Sequence, residues 1–191
     1  MNNYNFKKKL SGGVIICDTV NNENIIVLGK SNVLSRIDTF ESFGGKAEKT
    51  DISPLHTAIR ELIEEFFNFK INDDNINEIV IKLENEKQII KTFKHSGMVY
   101  LINFTGLSLV SKLLSEYLIE LKDYIIDDVF NINNYICNRT VDNEPLEGLN
   151  EIKLIKIFNL NDVRNNKINL RLYTRMVINK FLINSSHIIN I

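Results

Sequence analysis

Two cysteines are all that the 191 residues contain. Cys17 and Cys137 form neither a metal-ligand spacing nor a disulfide framework, which suits a reducing cytosol, and both are expected to be small buried hydrophobes. A dominant sign of charge is missing too. The 23 Lys+Arg and 24 Asp+Glu leave a formal net charge of −1, so electrostatics alone does not announce a general nucleic-acid binder. Long apolar runs are absent. After the polar stretch Met1 to Leu10, with Lys7, Lys8 and Lys9, the run Val14 to Cys17 is too brief for a signal-peptide core and reads as a strand. No segment approaches the roughly 20 apolar residues that a membrane-spanning helix needs. Without a secretory signal, the Asn-x-Ser/Thr triplets at Asn103, Asn138 and Asn184 carry no meaning. A phosphate loop ending in Lys-Ser/Thr, a dinucleotide Gly-x-Gly-x-x-Gly and a Ser or Cys nucleophile arrangement are all lacking. What remains is one cytoplasmic domain, residues 1–191, whose chemistry rests on other residues.

Val14 to Cys17 and Ile25 to Leu28, separated by the polar Thr19 to Glu23, read as a hairpin. Thr39 to Phe43 suggests a short strand. Ile79 to Leu83, Gln88 to Lys94 and Met98 to Phe104 are β-branched or aromatic enough to be strands, with His95-Ser96-Gly97 as a turn. Leu107, Val110, Leu114, Tyr117, Leu118 and Leu121 recur at helical spacing and predict a helix between about Leu107 and Ile126, with Glu116 and Glu120 solvated. Glu151 to Phe158 reads as a strand and Leu170 to Ile183 as a terminal helix.

The densest chemistry lies in Gly44-Gly45-Lys46-Ala47-Glu48-Lys49-Thr50-Asp51, a glycine turn, and the helix that follows it through Arg60-Glu61-Leu62-Ile63-Glu64-Glu65 to Phe67. At about 100° per residue, Glu65 lies near +40° and Glu64 near −60° from Glu61, so three carboxylates share one stripe. Leu55, Ile59, Leu62, Ile63 and Phe66 lie opposite, facing a core. A solvated surface is the plain reading of such a stripe. The carboxylates repel by a few tenths of a kcal/mol per close pair, and a hard cation such as Mg²⁺ or Mn²⁺ would turn that repulsion into a ligand set.

These residues resemble the box of the Nudix hydrolases, which runs from a glycine through a glutamate to Arg-Glu, an aliphatic, any residue, Glu-Glu, any residue and a final glycine. Gly45, Arg60-Glu61-Leu62 and Glu64-Glu65 match it. Asp51 stands where the first glutamate is expected, the stretch from Asp51 to Arg60 is one residue longer, and Phe67 replaces the last glycine. Ser53-Pro54 suits an N-cap followed by Pro at N1, which places the extra residue, such as Ile52, in the loop before the helix.

The resemblance implies the Nudix fold, an α+β (α/β/α) sandwich with a mixed sheet flanked by helices over Lys9 to Ile183, and a helical insertion at 106–143. It implies Mg²⁺ or Mn²⁺ held by Glu61, Glu64 and Glu65, with the Gly45 carbonyl as an additional ligand. Glu64 and Arg60 are then catalytic, Arg60 orienting a carboxylate; its alternative is an exposed pair with Glu64. For the general base, Glu151 is favoured over Glu144 and Glu147, since it directly precedes a strand. His56 and His95 read as structural or solvated. The implied reaction is hydrolysis of a pyrophosphate bond in a nucleoside-diphosphate-linked substrate. One alternative is removal of the messenger RNA 5′ cap, since the helical insertion and the Asn-, Ile- and Lys-rich composition are similar to those of decapping Nudix enzymes of large DNA viruses. Phe40, Phe43, Tyr100, Phe130 and Tyr135 are then candidates for stacking on the cap, and Lys112, Lys122 and Arg139 for backbone contacts. The other is a Nudix-fold binding module that has lost catalysis. The expected partner is a nucleotide-type small molecule or capped RNA, with no membrane, and the sequence sets no oligomeric state.

Overall fold

In a computed structural model, which describes residues 11–94, 97–118, 126, 129–138 and 149–179, the chain builds one mixed sheet with helices on both faces. Strands β1 (Gly12–Val20) and β2 (Glu23–Ser31) form the expected hairpin. Its loop is tighter than the polar run suggested, because Asn21 and Asn22 both take positive φ, 51° and 65°, the pair of left-handed residues that a two-residue hairpin turn requires. Next come β3 (Phe40–Glu41) and β4 (Phe43–Gly45), where one short strand was expected, the first pairing with β2 and the second with the Gly12 end of β1. β5 (Ile89–Lys94) and β6 (Met98–Ile102) continue the sheet; β6 runs parallel to β1 and every other strand pairing is antiparallel. β7 (Ile152–Asn159) closes the far side against β2.

Alternation along β1 and β2 explains why their apolar runs are unbroken. Val14, Ile16, Ile25 and Val27 enter one buried cluster and Ile15, Cys17, Ile26 and Leu28 the other, so both faces of the sheet are covered. The first cluster takes in helices α1 (Pro54–Leu62), α2 (Asp73–Asn85), α3 (Phe104–Tyr117) and α4 (Val129–Asn138). The second is closed by residues of α5 (Leu160–Arg164) and α6 (Leu172–Val177) and the turn between them. Helix α1 crosses β1 so closely that a Cβ at Gly12 would collide with the Pro54 carbonyl and the Ala58 amide, a contact only glycine permits.

Three expectations need correction. Ile79 to Leu83 is not a strand but part of α2. The Asn72 side chain caps that helix by accepting from the Asn75 amide at 2.8 Å, and Ile76, Ile79, Val80 and Leu83 bury one face at i, i+3, i+4 and i+7. The helix expected from Leu107 begins at Phe104, because Asn103 caps it and the Asp18 carboxylate accepts from the Phe104 amide at 2.9 Å. Cys17 is buried as expected, but Cys137 is exposed. In the segment expected to be a helical insertion, Leu107, Val110, Leu113, Leu114, Ile126, Ile132 and Tyr135 share the first core cluster with the sheet and α1. Glu120, Lys122, Arg139, Glu144 and Glu147, with His95 and Ser96, lie outside the described residues. Among the described residues no helix is long and apolar enough to cross a membrane.

Candidate active site

The glycine turn and α1 meet as the sequence implied. Ser53 caps α1, its hydroxyl accepting from the His56 amide at 3.0 Å, and Pro54 occupies the first turn. The helix does not keep its α pitch through the glutamates. Ile63–Phe67 form a π turn that ends at Asn68, in the left-handed conformation with φ 62°. The departure at Phe67 thereby has a physical account: the wider turn moves the left-handed exit, where glycine is common, to Asn68, and Phe67 is buried in the core.

The charged stripe is not solvated. Arg60 is 6 % exposed and Glu65 3 %, and Asp51 and Glu64 are buried as well, which overturns the reading of Arg60 and Glu64 as an exposed pair. The Arg60 guanidinium donates to both Asp51 oxygens at 3.2 Å, to Glu64 Oε2 and Glu61 Oε1 at 2.9 Å, and to the Lys46 carbonyl at 3.0 Å. It ties the glycine turn to two of the three glutamates. Asp51 anchors it from behind, accepting further from the Glu48 amide, the Thr57 hydroxyl and His56 Nδ1. Burial pushes the Asp51 carboxyl up, but its hydrogen bonds from Arg60, Glu48 and Thr57 outweigh this and hold it below the usual range. His56 is therefore structural, bound between Asp51 and the Asp73 carbonyl.

The glutamates behave in the opposite sense. Burial raises Glu61 to about 7, with Glu64 and Glu151 adding repulsion and Arg60 opposing. Burial also raises Glu64, and raises Glu65 well above the carboxylate range, with Glu61, Glu41 and Glu151 adding to it. Glu65 accepts from the Gly44 amide at 2.7 Å. These upward shifts favour the neutral carboxyls, and a bound cation would favour the ionised ones. Gly45 fits that purpose sterically, since a Cβ there would run into the Glu61 carboxylate. A tighter group of potential ligand atoms, Asp51, His56 and Asp73 within 4.8 Å of one another, is already engaged by the hydrogen bonds to Asp51 and His56.

Glu61, Glu64, Glu65, Gly45, Arg60 and Glu151 all line one cavity of about 910 Å³. Glu151 reaches it from the start of β7, where Asn68 and Asn150 exchange hydrogen bonds at 2.9 and 2.8 Å, and Arg36 pairs with its carboxylate at 3.2 Å. Arg36, Lys46, Lys70 and Arg171 line the same cavity, and nothing in the sequence joins them, because they are far apart along the chain. Glu41 is buried beneath two of them, taking Arg36 at 3.1 Å and Arg171 at 2.6 Å. Of the aromatic candidates, Phe43, Tyr100 and Tyr135 are buried, Phe40 packs edge-on against Phe158, and the Phe130 side chain lies outside the described residues.

No family model matches the chain, and no curated protein matches it. Among solved structures it is similar to a MutT/nudix family protein from Enterococcus faecalis, at 13 % identity over 83 % of this chain with a TM-score of 0.37, and it spans 46 % of that protein's length. An Ap4A hydrolase from C. elegans gives 13 % identity over 90 % of this chain and 93 % of the other, with a TM-score of 0.44. The NUDIX domain of Shewanella oneidensis NrtR, solved with ADP ribose, gives 12 % identity over 93 % and 91 %, with a TM-score of 0.44. Likeness this distant assigns neither an activity nor a ligand, and the site speaks through its own geometry.

Proposed function

We propose that the chain is a Nudix-type hydrolase that uses Mg²⁺ or Mn²⁺ to cleave a pyrophosphate bond in a nucleoside-diphosphate-linked substrate. The observation that carries this reading is the buried Arg60 network, which holds Glu61 and Glu64, with Glu65, in the lining of a large cavity to which Arg36, Lys46, Lys70 and Arg171 also contribute. Clustered carboxylate oxygens suit a hard divalent cation, and the four other basic side chains suit a polyanion. Glu61, Glu64, Glu65 and the Gly45 carbonyl are the groups that would hold the metal. When bound, it would polarise phosphoryl oxygens and make water more acidic.

The chain's own residues do the rest. Arg36, Lys46, Lys70 and Arg171 hold the phosphates in place. Glu151 takes a proton from the attacking water as the water oxygen bonds to phosphorus, and the bridging P–O bond breaks with its electron pair leaving on the departing phosphate. Arg60 keeps Glu61 and Glu64 aligned, which a lysine's point charge would not do.

A panel of capped RNA, nucleotide sugars, dinucleoside polyphosphates and free nucleotides, incubated with Mg²⁺ and with Mn²⁺, tests the reading. Metal-dependent release of a nucleotide from at least one is the expected result. Binding without turnover on every member would leave a catalytically silent Nudix-fold module, and turnover confined to capped RNA would make the enzyme a decapping one.

A further inference from the structure

The carboxylate cavity has a neighbour. A second cavity of about 220 Å³ is lined by Gly12, Gly13, Ser42, Tyr173 and Thr174, and the two share Gly44, Gly45, Lys46 and Arg171. Arg171 stands at the junction. One of its terminal nitrogens donates to buried Glu41 at 2.6 Å. Among the described residues its guanidinium makes no other hydrogen bond, and its side chain is 41 % exposed. Arg36 donates to the same Glu41 oxygen at 3.1 Å, so the fixed carboxylate holds one edge of the Arg171 fork and leaves the rest for a ligand.

We infer that Arg171, oriented by Glu41, grips the phosphate at which a ligand passes from the carboxylate cavity into the second one, and that the second cavity seats one compact ring attached to that phosphate. The inference rests on the hydrolase reading of the larger cavity and adds what lies on the far side of the diphosphate. A planar guanidinium binds phosphate through two parallel hydrogen bonds, which makes it a geometric reader as well as a charge. The smaller volume falls below the roughly 300 Å³ at which pockets for drug-sized molecules begin, so it admits a single ring system and not an extended arm.

The test is calorimetric titration of the full chain, with Mn²⁺ present, using methylenediphosphonate and α,β-methylene-ADP, which share an uncleavable bridge and differ by a nucleoside whose ribose is the ring attached to the phosphate. The nucleoside should tighten binding at least about tenfold. Arg171→Gln should weaken both ligands by about tenfold or more, and Arg171→Lys should recover only part of that loss. Tyr173→Ala should erase the nucleoside's advantage while leaving methylenediphosphonate binding unchanged, and thermal melting verifies that each variant is folded. Mn²⁺ binding without anion should be the same in all of them. If Arg171→Gln binds both ligands as tightly as the unaltered chain, or if the nucleoside adds nothing, the inference is overturned. An unaltered chain that binds no Mn²⁺ yet keeps its Arg171-dependent anion affinity would remove the hydrolase reading and support this one.

Discussion

Asn68 and Asn150 clasp each other through two hydrogen bonds, side chain to side chain at 2.9 Å and Asn150 amide to Asn68 Oδ1 at 2.8 Å. This joins the end of the π turn to the residue before Glu151. The turn that bears Glu64 and Glu65 and the candidate base are thus joined by one linkage across 82 positions of sequence. Asn68→Ala should cost about 1 kcal/mol or more in urea unfolding, from left-handed strain together with the lost hydrogen bonds. It should also lower turnover more than Asn85→Ala, which removes an exposed side chain at the end of α2. Equal turnover in the two variants would mean that the clasp does not position the site.

Glu64→Gln and Glu65→Gln should each reduce hydrolysis by at least about a hundredfold, comparable to removing a principal electrostatic stabiliser, and should weaken Mn²⁺ binding in parallel while melting normally. Near-normal turnover in either folded variant would remove that residue from the ligand set.

Asp51→Asn tests the anchor. It leaves the Arg60 charge buried with a weaker partner, a change that costs on the order of 3–5 kcal/mol when a buried ion pair is broken. Chemical denaturation should show a large loss of stability. A variant as stable as the parent would show that Glu61 and Glu64 suffice to hold Arg60.

For the candidate base, Glu151→Gln should lower kcat strongly and leave KM nearly unchanged, since a base acts in the transition state. Glu144→Gln and Glu147→Gln serve as controls. A dead control beside an active Glu151→Gln would move the base to that control residue.

Glu61 makes stability and metal binding oppose each other in pH. Its folded value is raised to about 7 from 4.5, so between these values the folded state holds a proton that the unfolded state has lost. The stability of the metal-free chain should therefore fall as pH rises through that window, a fall to which Glu65, raised in the same sense, also contributes. Metal needs the ionised carboxylate, so the gain in Tm from added Mn²⁺ should grow from about pH 6 to about pH 8. Melting curves with and without Mn²⁺ check both halves; a metal-induced gain independent of pH would place the ion elsewhere.

The sequence carried the box residues because their information is local: Ser53-Pro54 announces the cap, and Arg60 through Glu65 lie on consecutive turns. What it hid was of two kinds. α2 was obscured because Ile79-Val80-Ile81 carries a β-branched propensity that the burial of Ile76, Ile79, Val80 and Leu83 overrides. Glu41, Arg36 and Arg171 were invisible as a unit because long-range packing joins them: 130 residues separate Glu41 from Arg171. Even the helical wheel of α1 held only in part, since the π turn shifts the residues after Leu62, and the carboxylate stripe, whose plain alternative is a solvated surface, is largely interior.

The unequal burial of the two cysteines gives the protein a built-in attachment point. Burial pushes the Cys17 thiol up to about 12, which leaves almost no thiolate for a maleimide at neutral pH. Cys137 is exposed on α4, the helix whose Tyr135 stacks on Phe66 and donates to the Phe66 and Phe67 carbonyls of the π turn. A fluorophore added to the unmutated chain will therefore settle on one helix, two residues from the ring that touches the glutamate-bearing turn, and report optically on whether that turn shifts when metal or nucleotide arrives.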